Sequence, residues 1–144
     1  MHKLKQELSV IQEIPLKLPK NAKLFFHNEK GLYFLVHYDH VILTLANTVR
    51  KRILSAYVGS PTSQSAIEQT LHVYEIEGIE GYYCVDQIYK LLGKTKEQLK
   101  SDRGDYKRSN TGIGWKPKMV KAEWRERISA LENYDYTKGA YLWQ

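Results

Sequence analysis

The sequence has a single cysteine, Cys84. One thiol excludes an internal disulfide and any cysteine-rich zinc site. No apolar run approaches the roughly 18–20 residues that span a bilayer. The opening Met1-His2-Lys3-Leu4-Lys5-Gln6-Glu7 lacks the apolar core of a secretory signal. The expectation is a soluble, cytoplasmic protein with no membrane partner. Catalytic signatures are missing as well. There is no HExxH, and Thr111-Gly112-Ile113-Gly114 completes neither a dinucleotide fingerprint nor a Walker loop. No Ser/His/Asp grouping stands out, no cofactor is implied, and the chain shows no internal repeat or low-complexity segment.

What the sequence does have is basic charge, unevenly placed. The 144 residues carry a net charge of +6 and suit one domain with a real core. Residues 1–80 hold nine Lys/Arg against eight Asp/Glu, whereas residues 81–144 hold thirteen against eight. Between Lys90 and Lys121 there are ten basic residues and three acids, Glu97, Asp102 and Asp105. Such asymmetry suits a polyanion or an acidic protein surface. A solvated basic face that keeps a small protein in solution is the plainer alternative.

Along the chain, Leu4, Leu8 and Ile11 sit at helical spacing and predict a short helix over 2–12. Pro15 and Pro19 then impose an extended connector from Glu13 to Ala22. Leu24-Phe25-Phe26-His27 and Leu32 to Tyr38 flank Asn28-Glu29-Lys30-Gly31, which predicts a hairpin. Ile42, Leu45, Ala46, Val49, Ile53 and Tyr57 fall on one helical face, so a helix is expected from Asp39 or His40 to about Val58. Arg50, Lys51 and Arg52 would fan around it. Gly59 would cap it, with a polar loop over Ser60 to Ser65 and one helical turn over Ala66 to Thr70. Leu71 to Ile76 alternates and predicts a third strand, with Tyr82-Tyr83-Cys84 as a short fourth. Val85 to Leu92 reads as a helix stopped by Gly93, and Thr95 as the N-cap of another helix starting near Lys96. Pro117 suits the first turn of a last helix whose buried face is Val120, Trp124, Ile128 and Leu131. The aromatic tail, Tyr134 to Gln144, is expected to pack on the domain or on a partner.

The stretch Val85-Asp86-Gln87-Ile88-Tyr89-Lys90-Leu91-Leu92-Gly93-Lys94-Thr95-Lys96-Glu97-Gln98-Leu99 resembles the helix-turn-helix of DNA-binding proteins, including excisionase-like and MerR-like domains. Their two short helices pack through a glycine turn, with apolar residues at the places of Ile88, Leu92 and Leu99. Tyr89 stands where that family usually carries a small residue, and Lys94 and Asp102 occupy places that are often apolar. The resemblance spans about twenty residues. It implies base or phosphate contacts from Thr95, Lys96, Gln98 and Lys100, and phosphate contacts from Lys90, Lys94, Lys107 and Arg108. Independently of it, Arg103, Lys107, Arg108, Lys116 and Lys118 interleave with Tyr106 and Trp115. Basic residues neutralise phosphates while aromatic faces stack on bases.

Three smaller clusters complete the reading. In His37-Tyr38-Asp39-His40, two histidines and an aspartate have spacing that could hold a metal, or form a polar strand end. Glu75, Glu77 and Glu80 read as a solvated acidic edge, and Cys84 as a small buried hydrophobe. Together these observations predict an α+β fold in one domain. A small antiparallel sheet packed on a helix fills residues 1–80, and a helical basic part follows from 81 to 144. The expected function is non-enzymatic binding of duplex or single-stranded nucleic acid, in an accessory or regulatory role of the kind mobile elements encode. The alternatives are a protein-binding inhibitor or immunity-type protein with an acidic partner, and a small metal-dependent enzyme using His37, Asp39 and His40.

Overall fold

Leu32 to Val36 is apolar at nearly every position, and in the fold it is the middle strand of a sheet covered on both faces. The structure, a computed structural model, describes residues 10–79, 85–95, 97, 98 and 117–143. Five strands, β1 (Ile11–Ile14), β2 (Ala22–His27), β3 (Leu32–His37), β4 (His40–Ala46) and β5 (Arg52–Ala56), lie side by side in sequence order. Every neighbouring pair is antiparallel. Among the described residues the helices that follow include α1 (Pro61–Leu71), α2 (Val85–Leu91) and α3 (Lys121–Leu131). A single 3-10 turn, Tyr136–Lys138, leads into the tail. The α+β class and the 24–38 hairpin are as the sequence predicts.

The alternation of side chains along each strand splits the core in two. One face carries Leu24, Leu35 and Ile53 beneath Ala66, Ile67 and Leu71 of α1 and Ile88 and Tyr89 of α2. The other carries Phe25, Phe34, Val36 and Val41 beneath Trp124 and Leu131 of α3, together with Tyr134 and Leu142. The C-terminal helix therefore shares the second of these two cores with the sheet.

The expected helix from residue 40 to 58 is instead β4, a turn and β5. The reason is burial. Every residue of β4 from His40 to Leu45 is buried, so the strand is apolar on both faces and meets a helical spacing by coincidence. Val41, Ile42 and Thr44 are β-branched and suit a strand. Arg50, Lys51 and Arg52 consequently lie at the β4–β5 turn. Lys51 Nζ reaches Asn47 Oδ1 at 2.8 Å and stands 5.6 Å from the ring centres of Tyr33 and Tyr74.

Four other elements differ from expectation. Residues 11–14 form strand β1, where the tail of the 2–12 helix and the start of the connector were expected. The polar stretch after Ser60 is the start of α1, because Ser60 caps it reciprocally with Ser63 and Pro61 takes the first helical position. The 71–76 strand is absent. Leu71 ends α1, and Ile76 alone makes a parallel bridge to Lys51. The last helix begins at Lys121, later than Pro117 suggests, and Val120 is exposed at its N-cap. The expected 82–84 strand lies outside the described residues.

Candidate nucleic-acid interface

Among the described side chains of helix α2, Ile88 and Tyr89 seat it on the sheet. Ile88 is fully buried, and Tyr89 is 3% exposed. The Tyr89 hydroxyl accepts the Val58 N–H at 3.1 Å, which fixes α2 to the chain leaving β5. Gly78 lies so close to Leu91 that a Cβ there would meet its Cδ1 at 2.7 Å. Gly78 also has φ +86, a conformation that favours glycine.

Gly93 ends α2 at φ +71. The turn that follows is built from side chains. Lys94 Nζ sits 4.2 Å from the Tyr57 ring centre and 5.4 Å from that of Tyr89, and it donates to the Ala56 carbonyl at 3.3 Å. Its charge is directed into the fold. Next, Gln98 N–H donates to Thr95 Oγ1 at 3.2 Å while Thr95 N–H donates to Gln98 Oε1 at 2.7 Å. This reciprocal pair is a capping box, with Thr95 in the role the sequence predicts. Lys90, Thr95 and Gln98 are exposed.

Lys118 belongs to a second place, the irregular segment 117–120 that precedes α3. Asn21 clamps this segment to the β1–β2 loop. Its Oδ1 accepts the Met119 N–H at 2.6 Å, and its Nδ2 donates to the Pro117 carbonyl at 3.3 Å. Lys118 and Lys121 are both exposed. Lys96, Lys100, Arg103, Lys107, Arg108, Trp115 and Lys116 lie outside the described residues.

The histidine cluster has a different geometry from a metal site. His37 and His40 pair across a tight turn, Tyr38-Asp39, with Tyr38 at φ +55. Asp39 Oδ1 is held by Arg127 Nη2 at 2.5 Å and by Trp143 Nε1 at 3.2 Å. The carboxylate is thus committed to α3 and the tail. Among the described residues no group of three His, Cys, Asp or Glu is placed to hold a metal ion. Burial, with a smaller effect of neighbouring His40, lowers His37 from 6.5 to about 4. Burial lowers His40 too, against a weaker opposing pull from Asp39. Elsewhere, burial and then Tyr33 raise Tyr74 to about 12.

The tail packs on its own fold. Leu142 is buried, Leu142 N–H donates to the Asp39 carbonyl at 2.8 Å, and Val41 N–H donates to the Ala140 carbonyl at 2.8 Å. An open groove of about 700 Å³ runs between α3 and this tail, with Arg125, Ser129, Asn133 and Trp143 on its walls. Sequence reasoning did not find Asn21, Tyr89 or Arg127. Asn21 carried a signal, since it follows Pro19-Lys20 and asparagine tolerates the φ of +65 found there. Arg127 carried none, because its partner lies 88 residues away.

Comparison with protein-family models, with curated proteins and with solved structures finds no match to this chain. Among the described residues no helix is long and apolar enough to cross a membrane.

Proposed function

We propose that the chain is a small non-enzymatic binding protein whose basic C-terminal half contacts nucleic-acid phosphates. The observation that carries this reading is the placement of charge: ten basic residues and three acids between Lys90 and Lys121. The exposure of Lys90, Lys118 and Lys121 supports it, since those ammonium groups are open to a partner. The capped turn after Gly93 supports it further by presenting Thr95 and Gln98 outward from an element anchored through Tyr89. In this role Lys94 holds the turn against Tyr57 and does not reach phosphate.

Phosphate neutralisation releases counterions, so affinity for such a partner falls steeply with salt. The direct test is fluorescence anisotropy with labelled duplex DNA, single-stranded DNA and RNA. Binding to at least one is expected, weakened by Lys96→Glu and by Lys107→Glu. No binding to any of the three would end the proposal. Unchanged affinity in both variants would move the contact elsewhere.

A further inference from the structure

We propose that the groove between α3 and the C-terminal tail holds an unpaired base of a single nucleic-acid strand, stacked on Trp143, with Arg125 on the adjoining phosphate. The inference rests on the reading of the chain as a nucleic-acid binder and names the form of nucleic acid it takes.

Trp143 is 40% exposed, yet it is held in place. Its indole N–H donates to Asp39 Oδ1 at 3.2 Å, and the Arg127 guanidinium stands 5.4 Å from its ring centre. Asp39 and Arg127 line the neighbouring cleft with Tyr38 and Lys118, whereas Trp143 lines the groove. The contacts that fix the ring thus come from outside the groove, and the ring itself is one of the groove's walls. The backbone that carries it is fixed as well. Leu142 is buried and its N–H donates to the Asp39 carbonyl at 2.8 Å, while the Tyr134 hydroxyl donates to the Gly139 carbonyl at 2.7 Å. An indole positioned before its partner arrives loses little freedom on binding. Its aromatic face can stack on any base.

Helix α3 supplies most of the remaining wall. Ala122, Arg125 and Ser129, with Asn133 just past the helix end, recur at three- and four-residue intervals and so share one face. Arg125, Ser129 and Asn133 are exposed. The Ser129 hydroxyl and the Asn133 amide offer both donors and acceptors to a base edge. Arg125 offers a charge to the phosphate. Lys121 is exposed one turn before Arg125 on the same face, so positive charge leads from the basic segment to the groove's edge. The acid on the groove wall, Glu126, pairs with Arg127 at 3.4 Å, and Glu123 accepts the Val120 N–H at 2.9 Å.

The volume of about 700 Å³ falls within the roughly 300–1,000 Å³ of sites that take a small organic group. In a duplex the bases stack on one another and are closed to an indole, so the occupant is a base of a single strand.

The experiment is a set of anisotropy titrations on the full chain. The probes are a short single-stranded DNA, the RNA of the same sequence, an abasic strand of the same length and charge, and a duplex. A strand with bases should bind at least about tenfold more tightly than the abasic one. Trp143→Ala should weaken that binding by about fivefold to a hundredfold, as loss of one stacked base does. Its salt slope should not change, because no phosphate contact is lost. Trp143→Phe keeps an aromatic face without the N–H to Asp39 and should recover most of the loss. Arg125→Glu should flatten the salt slope by roughly one contact. In the natural chain, the NMR signals of the Trp143 indole N–H and the Asn133 side-chain amide should shift on titration with the same strand, a readout that needs no variant to fold. Equal affinity for the abasic strand, a Trp143→Ala chain that binds as well as the natural one, or unmoved Trp143 and Asn133 signals overturns the groove and leaves the phosphate reading standing. Equal shifts with adenosine monophosphate at the same concentration assign the groove to a free nucleotide and overturn the strand. Binding to duplex alone overturns the inference and keeps the phosphate reading, whereas binding to no nucleic acid ends both.

Discussion

Replacing Asn21 probes how the C-terminal helix is joined to the sheet. Asn21 does two things at once. It holds φ +65 at the entry to β2, and its side chain satisfies the Met119 N–H, which is buried and 98 residues away. Asn21→Gly keeps the backbone shape and removes the side chain. The Met119 donor is then left without its acceptor, at a cost of about 1–3 kcal/mol. Asn21→Ala loses the same acceptor and must also place a Cβ in the left-handed region, a further cost of about 1–2 kcal/mol. Glycine gives back about 0.5–1 kcal/mol of that difference through the greater freedom of its unfolded chain. Alanine should therefore be worse than glycine by about 1 kcal/mol, and both worse than the natural residue. Urea unfolding reads this directly. With a slope of about 2 kcal/mol/M, a loss of about 3 kcal/mol lowers the midpoint by about 1.5 M. In both variants the Met119 amide should exchange faster than its neighbours. An alanine variant as stable as the glycine variant would refute the left-handed geometry. A glycine variant as stable as the natural protein would refute the clamp.

Two further substitutions test the anchoring of the candidate interface and the start of α1. Tyr89→Phe keeps the buried ring but strands the Val58 N–H, and should cost about 1–3 kcal/mol by urea unfolding; an unchanged midpoint would show that α2 is held by packing alone. Ser60→Ala removes the oxygen that accepts the Ser63 N–H at 3.1 Å and should cost about 1 kcal/mol. Restoration by Ser60→Asp would identify the loss as capping, and no recovery would point to the neighbouring Ser63 network instead.

Short-range signals in this sequence translated well, and two-sided burial did not. The 24–38 hairpin was legible because Gly31, at φ +64, closes a polar turn between aromatic strands. The stop at Gly93 and the cap at Thr95 were legible because both act within four residues. The β4–β5 hairpin was not. Its first strand is covered by α1 on one side and by α3 and the tail on the other, so the alternation that marks a half-exposed strand is missing. A helix and a doubly buried strand then share the same apolar pattern, and only tertiary packing separates them. The start of α1 was misread for a different reason. Ser60, Pro61 and Ser63 are turn formers, and they are also a capping box with proline at the first helical position. Of the candidate interface, the sequence located its charge and its turn. It could not show that Lys94 faces Tyr57 and Tyr89, because cation–aromatic contacts across 37 residues leave no local trace.

The central claim is that the basic segment 90–121 neutralises phosphates, and the salt dependence of binding tests it most directly. The association constant should be measured over a series of salt concentrations for the natural chain and for Lys96→Glu and Lys107→Glu. The logarithm of the constant should fall linearly with the logarithm of salt, by about 0.9 per duplex phosphate neutralised or about 0.7 per single-strand phosphate. Each variant should flatten that slope by roughly one contact. Binding that is insensitive to salt, or a slope that neither variant alters, would contradict it.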